Sequence, residues 1–485
     1  MLFNCSFIRK GCIFIVVMVA MGGMVFAADQ KLNPNPCNLN PGDVAGFSRD
    51  LSTDVEAARA YTGTIASLLE AEKFQELDCL ADYARSSKER FPGGMWKLHT
   101  LYAGLYEPVQ YPQHPTQEDW TNLLQRLQHW QAARPKSITA RVALAWAYVG
   151  YAADARGNGY ADTVSESGWK LFGDRIAQAK RILDEASALP TKCPAWYLVM
   201  LLVARNQSWD VTKQRALFDE AMNFEPGYYY YARVLASTLL PKWSGDPGDT
   251  EKFTQEIADQ IGRDQGDALY FQVASADYVI CGCEDNPHLS LQRIERGFEA
   301  SEKLYGASML NLNRMAYLAS HFGGGDPILA DKTLTRIGEQ WDPETWGDKQ
   351  GFQTVKQWAA YAAPATVKLR ALEAAAEANL QTPEGLRYQA SFEKTYRGFV
   401  QDCVRTDGTS VQTWQGKFEA LISIGAKGTV EENRVYAIGP VVVCLYQKLH
   451  TLQQEKTISF PPPPHAPYWV RLDLDWADFA PVAAK

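Results

Sequence analysis

RIAQAKRILDEASALPTKCPAWYLVMLLV, residues 175–203, carries the pattern on which the fold turns. From Arg175 to Leu189 apolar residues recur at i, i+3, i+4 and i+7, the spacing of one helix face. Pro190 ends that run and a second apolar segment begins, the punctuation of a helical hairpin. Counted from Pro190, Ile182 stands eight before, and Trp196, Met200 and Val203 stand six, ten and thirteen after. The same count from Pro135, Pro226 and Gly306 finds Leu127, Phe218 and Phe298 at minus eight. It finds Ala145, Ala236 and Ala316 at plus ten. A bulky residue before the turn fills the groove between helix pairs, and a small one after it lets neighbouring helices approach.

Working outward, Val55–Leu69, Leu123–Ala133, Ile138–Ala155 and Leu291–Leu304 show the same helical period. No alternating run of comparable strength appears between Asp54 and about Ala378, and Pro and Gly are expected between helices, not inside them. The turn anchors are 55, 36 and 80 residues apart, so the repeats are degenerate and interrupted. An irregular helical bundle is the alternative to repeat stacking. The bulky-then-small register resembles the tetratricopeptide pattern. With Ala145-Trp146-Ala147-Tyr148, Gly168-Trp169, Leu240-Pro241-Lys242-Trp243 and Asn311-Leu312-Asn313-Arg314-Met315-Ala316, residues 55–360 resemble a bacterial family of exported tetratricopeptide-like helical proteins. That resemblance implies an α-solenoid and carries no activity.

The character changes near Gln381-Thr382-Pro383-Glu384-Gly385. After a helix expected at Ser391–Cys403, Phe418–Ile424 and Thr429–Val435 flank Gly425–Gly428 as a hairpin. Val441–Leu452 reads as a helix and Tyr468–Asp475 as a closing strand. Hairpin, helix and strand in this order resemble the carboxy-terminal domain of TonB-type proteins, although those usually keep a membrane anchor and a long Pro-rich spacer. The expected fold is therefore mainly α. A degenerate tetratricopeptide-like solenoid over 51–380 precedes a small α+β domain over 386–480.

At the amino end, Arg9 and Lys10 precede an apolar run, Ile13–Met21, and Val25-Phe26-Ala27 places small residues before Ala28. This is the layout of a secretory signal over 1–27, with an uncleaved anchor as the alternative. Residues 28–50, with Asn33-Pro34-Asn35-Pro36, read as a tether. The net charge is −8, and removing 1–27, which hold two basic residues and no acid, leaves −10. That balance argues against broad electrostatic binding to nucleic acid or anionic lipid. No later segment is long and apolar enough to span a bilayer. A periplasmic or secreted location is expected.

In an oxidising compartment the seven cysteines after residue 27 favour disulfides, and their odd number leaves at least one unpaired. Cys403 with Cys444 is the pair expected to clamp the small domain, stabilising it by about 3–4 kcal/mol through loop closure. Cys37 with Cys79 would tie the tether to the first hairpin.

Catalytic and metal handles are scarce. Cys281-Gly282-Cys283 with His288 has ligand chemistry, but lacks the second cysteine pair a structural zinc site draws on. Glu166-Ser167 matches the Glu-Ser pair of lytic transglycosylases, but no Gly-Leu-Met-Gln-like segment follows and the pair reads rather as the start of a helix. No metal, cofactor or catalytic residue is expected. Tyr228, Tyr229, Tyr230 and Tyr231 open a helix, and four successive aromatics cover every face. At least one exposed ring would serve as a partner contact, with packing between repeats as the alternative. Phe460-Pro461-Pro462-Pro463-Pro464 reads as a stiff lead-in to the last strand or as a ligand for a Pro-binding module. The expected function is non-catalytic binding of an envelope protein or peptide. A cell-envelope glycan hydrolase is the alternative.

Overall fold

The computed structural model describes Cys37 and residues 54–109, 114–157, 161–276, 289–407, 417–436 and 440–479. Within them the chain is mainly helical, with one three-stranded antiparallel sheet near the carboxy end. The helices are α1 Asp54–Glu70, α2 Phe74–Ser87, α3 Lys97–Tyr106, α4 Gln117–Ala133, α5 Ile138–Arg156, α6 Glu166–Ser187 and α7 Pro194–Asn206. They continue as α8 Val211–Phe224, α9 Tyr230–Thr238, α10 Asp249–Ile261, α11 Arg263–Ala274, α12 Leu291–Tyr305, α13 Met309–His321 and α14 Pro327–Ile337. A single turn, α15 Pro343–Trp346, leads into the long α16 Lys349–Asn379. The last unit comprises α17 Pro383–Asp407, β1 Lys417–Ile424, β2 Val430–Tyr436, α18 Pro440–Glu455 and β3 Tyr468–Asp475.

Helix starts follow side-chain chemistry. Ser137, Ser165, Ser290 and Ser308 each accept a first-turn backbone N–H, and Thr116 and Asp119 form a reciprocal capping box. The residues at minus eight and plus ten from the four turns are all buried: Leu127, Ile182, Phe218 and Phe298, then Ala145, Met200, Ala236 and Ala316. The expectation that Pro and Gly lie only between helices is not met. Pro364 sits inside α16, and Gly104, Gly150, Gly266 and Gly297 lie inside helices. At the last of these a Cβ would stand 2.1 Å from the Asp267 carbonyl oxygen of the neighbouring α11, so only glycine admits that approach.

The array does not stay open. The odd-numbered helices pack in succession from α1 to α11; α12 connects α11 to α13, and α13 returns to α1. Asp54, at the start of α1, accepts hydrogen bonds from Ser308 Oγ at 2.6 Å and from the Met309 N–H at 2.7 Å, closing a circuit 254 residues long. The α2–α3 connection lies across this circuit. Gly93 N–H donates to Gly306 O, and Gly93 O accepts from the side-chain amides of Asn311 and Gln272. Gly93 has φ +76, and a Cβ there would stand 2.4 Å from Ser308 Cβ. Trp96 Nε1 and Arg90 Nη2 both donate to Gly227 O, and the Arg90 guanidinium lies 4.6 Å from the ring centroids of Trp96 and Tyr305. Helices far apart in sequence are thus tied to one short backbone segment.

In the last unit β1 is central, antiparallel to both neighbours in the order β2-β1-β3. The hairpin, the helix after it and the closing strand stand where the sequence places them; the helix before them starts earlier, at Pro383. Tyr388, Phe392, Tyr396 and Val400 of α17 form one stripe, packed with Leu445 and Leu449 of α18, Phe460 and alternate residues of β3. The outer edge of β3 is covered. Asn379 Nδ2 donates to Trp469 O at 3.0 Å and Gln389 Nε2 to Arg471 O at 2.6 Å. Pro461–Pro464 run between α18 and β3, and Pro461 O accepts from the Tyr388 hydroxyl.

Disulfides join Cys403 to Cys444, linking α17 to α18, and Cys37 to Cys79, linking the amino-terminal segment to α2. Cys193 is free and buried. The signal segment 1–27, the tether apart from Cys37, and the Cys281-Gly282-Cys283 and His288 cluster lie outside the described residues. No helix among the described residues is long and apolar enough to cross a membrane.

Candidate functional site

A column of stacked rings runs through the packed core of the helical array. Tyr106 lies parallel to Trp146 with centroids 4.4 Å apart, and His99 tilts against Trp146 at 5.6 Å. His99 stacks on Tyr230 at 3.7 Å, Tyr230 on Tyr229 at 4.3 Å, and the Arg233 guanidinium covers Tyr229 at 4.8 Å. The column therefore runs from α3 through α5 to α9. Hydroxyls are tied in sequence: Trp96 N–H donates to Tyr230 Oη, which also accepts from the Tyr229 hydroxyl. The four tyrosines are all buried, so the expectation that one ring faces solvent as a partner contact is not met. All four pack in the hydrophobic core, and Tyr229 and Tyr230 also form the middle of the column.

Three guanidinium groups and three carboxylates gather around this column. Arg233 donates from Nε to Gln272 O at 3.0 Å and from Nη2 to Gln272 Oε1. Arg314, on α13, feels Arg233 and Tyr229 and, more weakly, Asp342 and Glu344. Burial, and then the Arg233 charge, push the Arg314 guanidinium down to about 10. Arg59 of α1 stands 4.0 Å from Asp342 and 3.8 Å from Glu344. Asp342 is committed to capping α15, accepting from Thr345 N–H at 2.9 Å and Thr345 Oγ1 at 2.7 Å. Glu107, which closes α3, has its carboxyl raised by burial; Tyr106 opposes this through a hydrogen bond and Glu344 adds to it through charge.

His99 is held near 3, by burial first and then by the Arg233 charge. Its unfolded counterpart titrates near 6.5. Because the folded value is the lower one, the unfolded chain takes up the proton first and stability falls as pH drops from about 6.5 toward 3. This site adds a slope of up to about 1.4 kcal/mol per pH unit in that window. His99→Phe, which keeps a ring against Tyr230, is expected to flatten that part of the profile. Urea titrations at pH 4.5 and pH 7.5 measure the difference.

Glu166 and Ser167 lie in the first turn of α6, exposed, with Ser165 as the cap. No group of three or more His, Cys, Asp or Glu placed to hold a metal ion occurs among the described residues. Arg233, Arg314 and Glu107 are not singled out by sequence. A signal for Arg314 exists: it is the one charged residue of α13, in a stretch that otherwise reads as packing. No family model matches the chain, and no curated protein is similar to it.

Proposed function

We propose that this chain is an exported, non-catalytic binding protein whose helical array takes up a peptide, or an exposed segment of an envelope protein. The carrying observation is the recess at the start of α1, lined by Val55, Met309, Trp341 and Pro343 together with Arg59 and Asp342, which offers apolar area and polar groups together, the combination interfaces favour. Export is supported by the two disulfides, which suit an oxidising compartment. The helical hairpins are taken as degenerate tetratricopeptide-like repeats, supported by the buried residues at the shared register positions. Likewise the terminal unit is taken as a TonB-type carboxy-terminal relative without the energy-coupling role.

A second reading is favoured by one observation. Burial first, and the Glu344 charge last, raise the Glu107 carboxyl, the direction a general acid needs, and glycan hydrolysis uses two carboxyl groups. One comparison separates the two. The chain from Ala28 onward, immobilised and offered a degenerate hexapeptide pool, is expected to retain peptides, and Trp341→Ala to lose most of that retention. Solubilisation of peptidoglycan by the wild-type chain, abolished in Glu107→Gln, would transfer the assignment to the hydrolase.

A further inference from the structure

The recess at the start of α1 sits on the seam where the circuit closes. Val55, Glu56 and Arg59 of α1 form one side, Met309 opens α13 on another, and residues 340–343, the connection from α14 to α15, complete it. Hydrogen bonds fix these walls. Asn313 Nδ2 donates to Gln340 O at 3.1 Å, Asn313 Oδ1 accepts from the Asp342 N–H at 3.0 Å, and Asp54 accepts from the Met309 N–H at 2.7 Å. The volume is about 200 Å³, below the roughly 300–1,000 Å³ of sites that enclose a whole small molecule, and suits one long side chain.

Charge around the recess is unbalanced. Asp342 is buried, and its two oxygens are used differently. Oδ2 accepts from Thr345 N–H and Oγ1, whereas Oδ1 accepts no hydrogen bond from any described residue. The cation facing Oδ1, Arg59 Nη2, stays 4.0 Å away, beyond hydrogen-bond distance, and is shared with Glu344 at 3.8 Å. Asp54, Glu56, Asp342 and Glu344 outnumber Arg59 there, even with Arg314 of α13 counted as a second cation. A buried carboxylate oxygen left short of a donor is stabilised by a donor that arrives with positive charge. The apolar lining, Val55, Met309, Trp341 and Pro343, suits the aliphatic stem that carries such a group, and an indole attracts a cation to its face.

We propose that this recess is a subsite for one basic side chain, lysine or arginine, of a bound peptide. The stem lies on the apolar lining and the charged tip reaches Asp342 Oδ1 and Glu56. This rests on the peptide-binding reading above and specifies which kind of residue the recess takes.

Titration calorimetry on the wild-type chain tests this with alanine pentapeptides, acetylated and amidated at their ends, that carry lysine, arginine, norleucine or glutamate at the centre. Lysine and arginine are expected to bind at least about tenfold tighter than norleucine, which keeps the stem and lacks the charge. Added salt narrows that difference, and glutamate does not bind. Glu56→Gln, at an exposed position, lowers lysine affinity about threefold, and Arg59→Gln, which removes the competing cation, raises it by a similar factor. Neither variant changes norleucine binding. Norleucine bound as tightly as lysine overturns the basic subsite and leaves peptide capture standing. Glutamate bound best, and lost in Arg59→Gln, overturns it in favour of an acidic residue held by Arg59. A lysine preference that neither variant moves overturns the recess as its source. No binding by any of the four overturns the subsite, and retention of the hexapeptide pool then decides the peptide reading separately.

Discussion

Gly297→Ala is expected to destabilise the protein by about 3 kcal/mol, the upper range for forcing volume into a packed core. The added methyl would stand 2.1 Å from the Asp267 carbonyl oxygen and 2.9 Å from Phe271 Cβ. Neither obstacle is the free end of a flexible side chain, so α11 and α12 must separate, and α12 is the element linking α11 to α13 in the circuit. Gly173→Ala is the control. It also lies inside a helix, α6, but a Cβ there meets nothing within 4 Å, and the substitution is expected to stabilise by about 0.5–1 kcal/mol through reduced chain entropy. Urea denaturation followed by far-ultraviolet circular dichroism measures both. Equal behaviour of the two variants would show that close helix approach does not set the penalty at Gly297.

The second large effect concerns the terminal unit. Replacing Cys403 and Cys444 together by serine is expected to cost about 4 kcal/mol, the loop-closure entropy of a bridge spanning 41 residues. The bridge ties α17 to α18, and both supply the core beneath the sheet through Phe392, Tyr396, Leu445 and Leu449. A unit of this size has a small core, so it should unfold first and at lower denaturant than the helical array. Trp476, stacked on Phe418 at 4.0 Å, is one of fourteen tryptophans whose emission would combine, so hydrogen exchange of β1 and β3 amides is the cleaner readout. Unchanged protection of those amides in the double serine variant would overturn this expectation.

Much of the fold is legible in the chain. The period of Arg175–Leu189 and Ile138–Ala155 marks helices that the structure contains, since burial of one face forces that spacing. Pro135, Pro190, Pro226 and Gly306 mark turns between packed helices, and the residues eight before and ten after them are buried. In the terminal unit, alternation in Tyr468–Asp475 identifies a strand whose Tyr468, Val470, Leu472 and Leu474 face the core.

The candidate site was less legible. Tyr228–Tyr231 draw the eye as four adjacent rings, yet burial takes all four, because α9 is surrounded by α7, α10 and α11 and has no wide outer face. Arg314 hides inside a motif whose other members pack. Its buried, unbonded Nε is a property of the tertiary structure that no neighbouring residue in the sequence signals.

Local chemistry in the sequence thus determined the helices, their caps and turns, the hairpin and closing strand, and which face of each is apolar, because these depend on neighbours within about one turn or one strand pair. Tertiary structure alone decided that α1 meets α13, that Gly93 bridges distant helices, and that Arg59 faces Asp342 and Glu344. Those outcomes depend on the sum of small rotations between successive helix pairs, and no local window of sequence contains that sum.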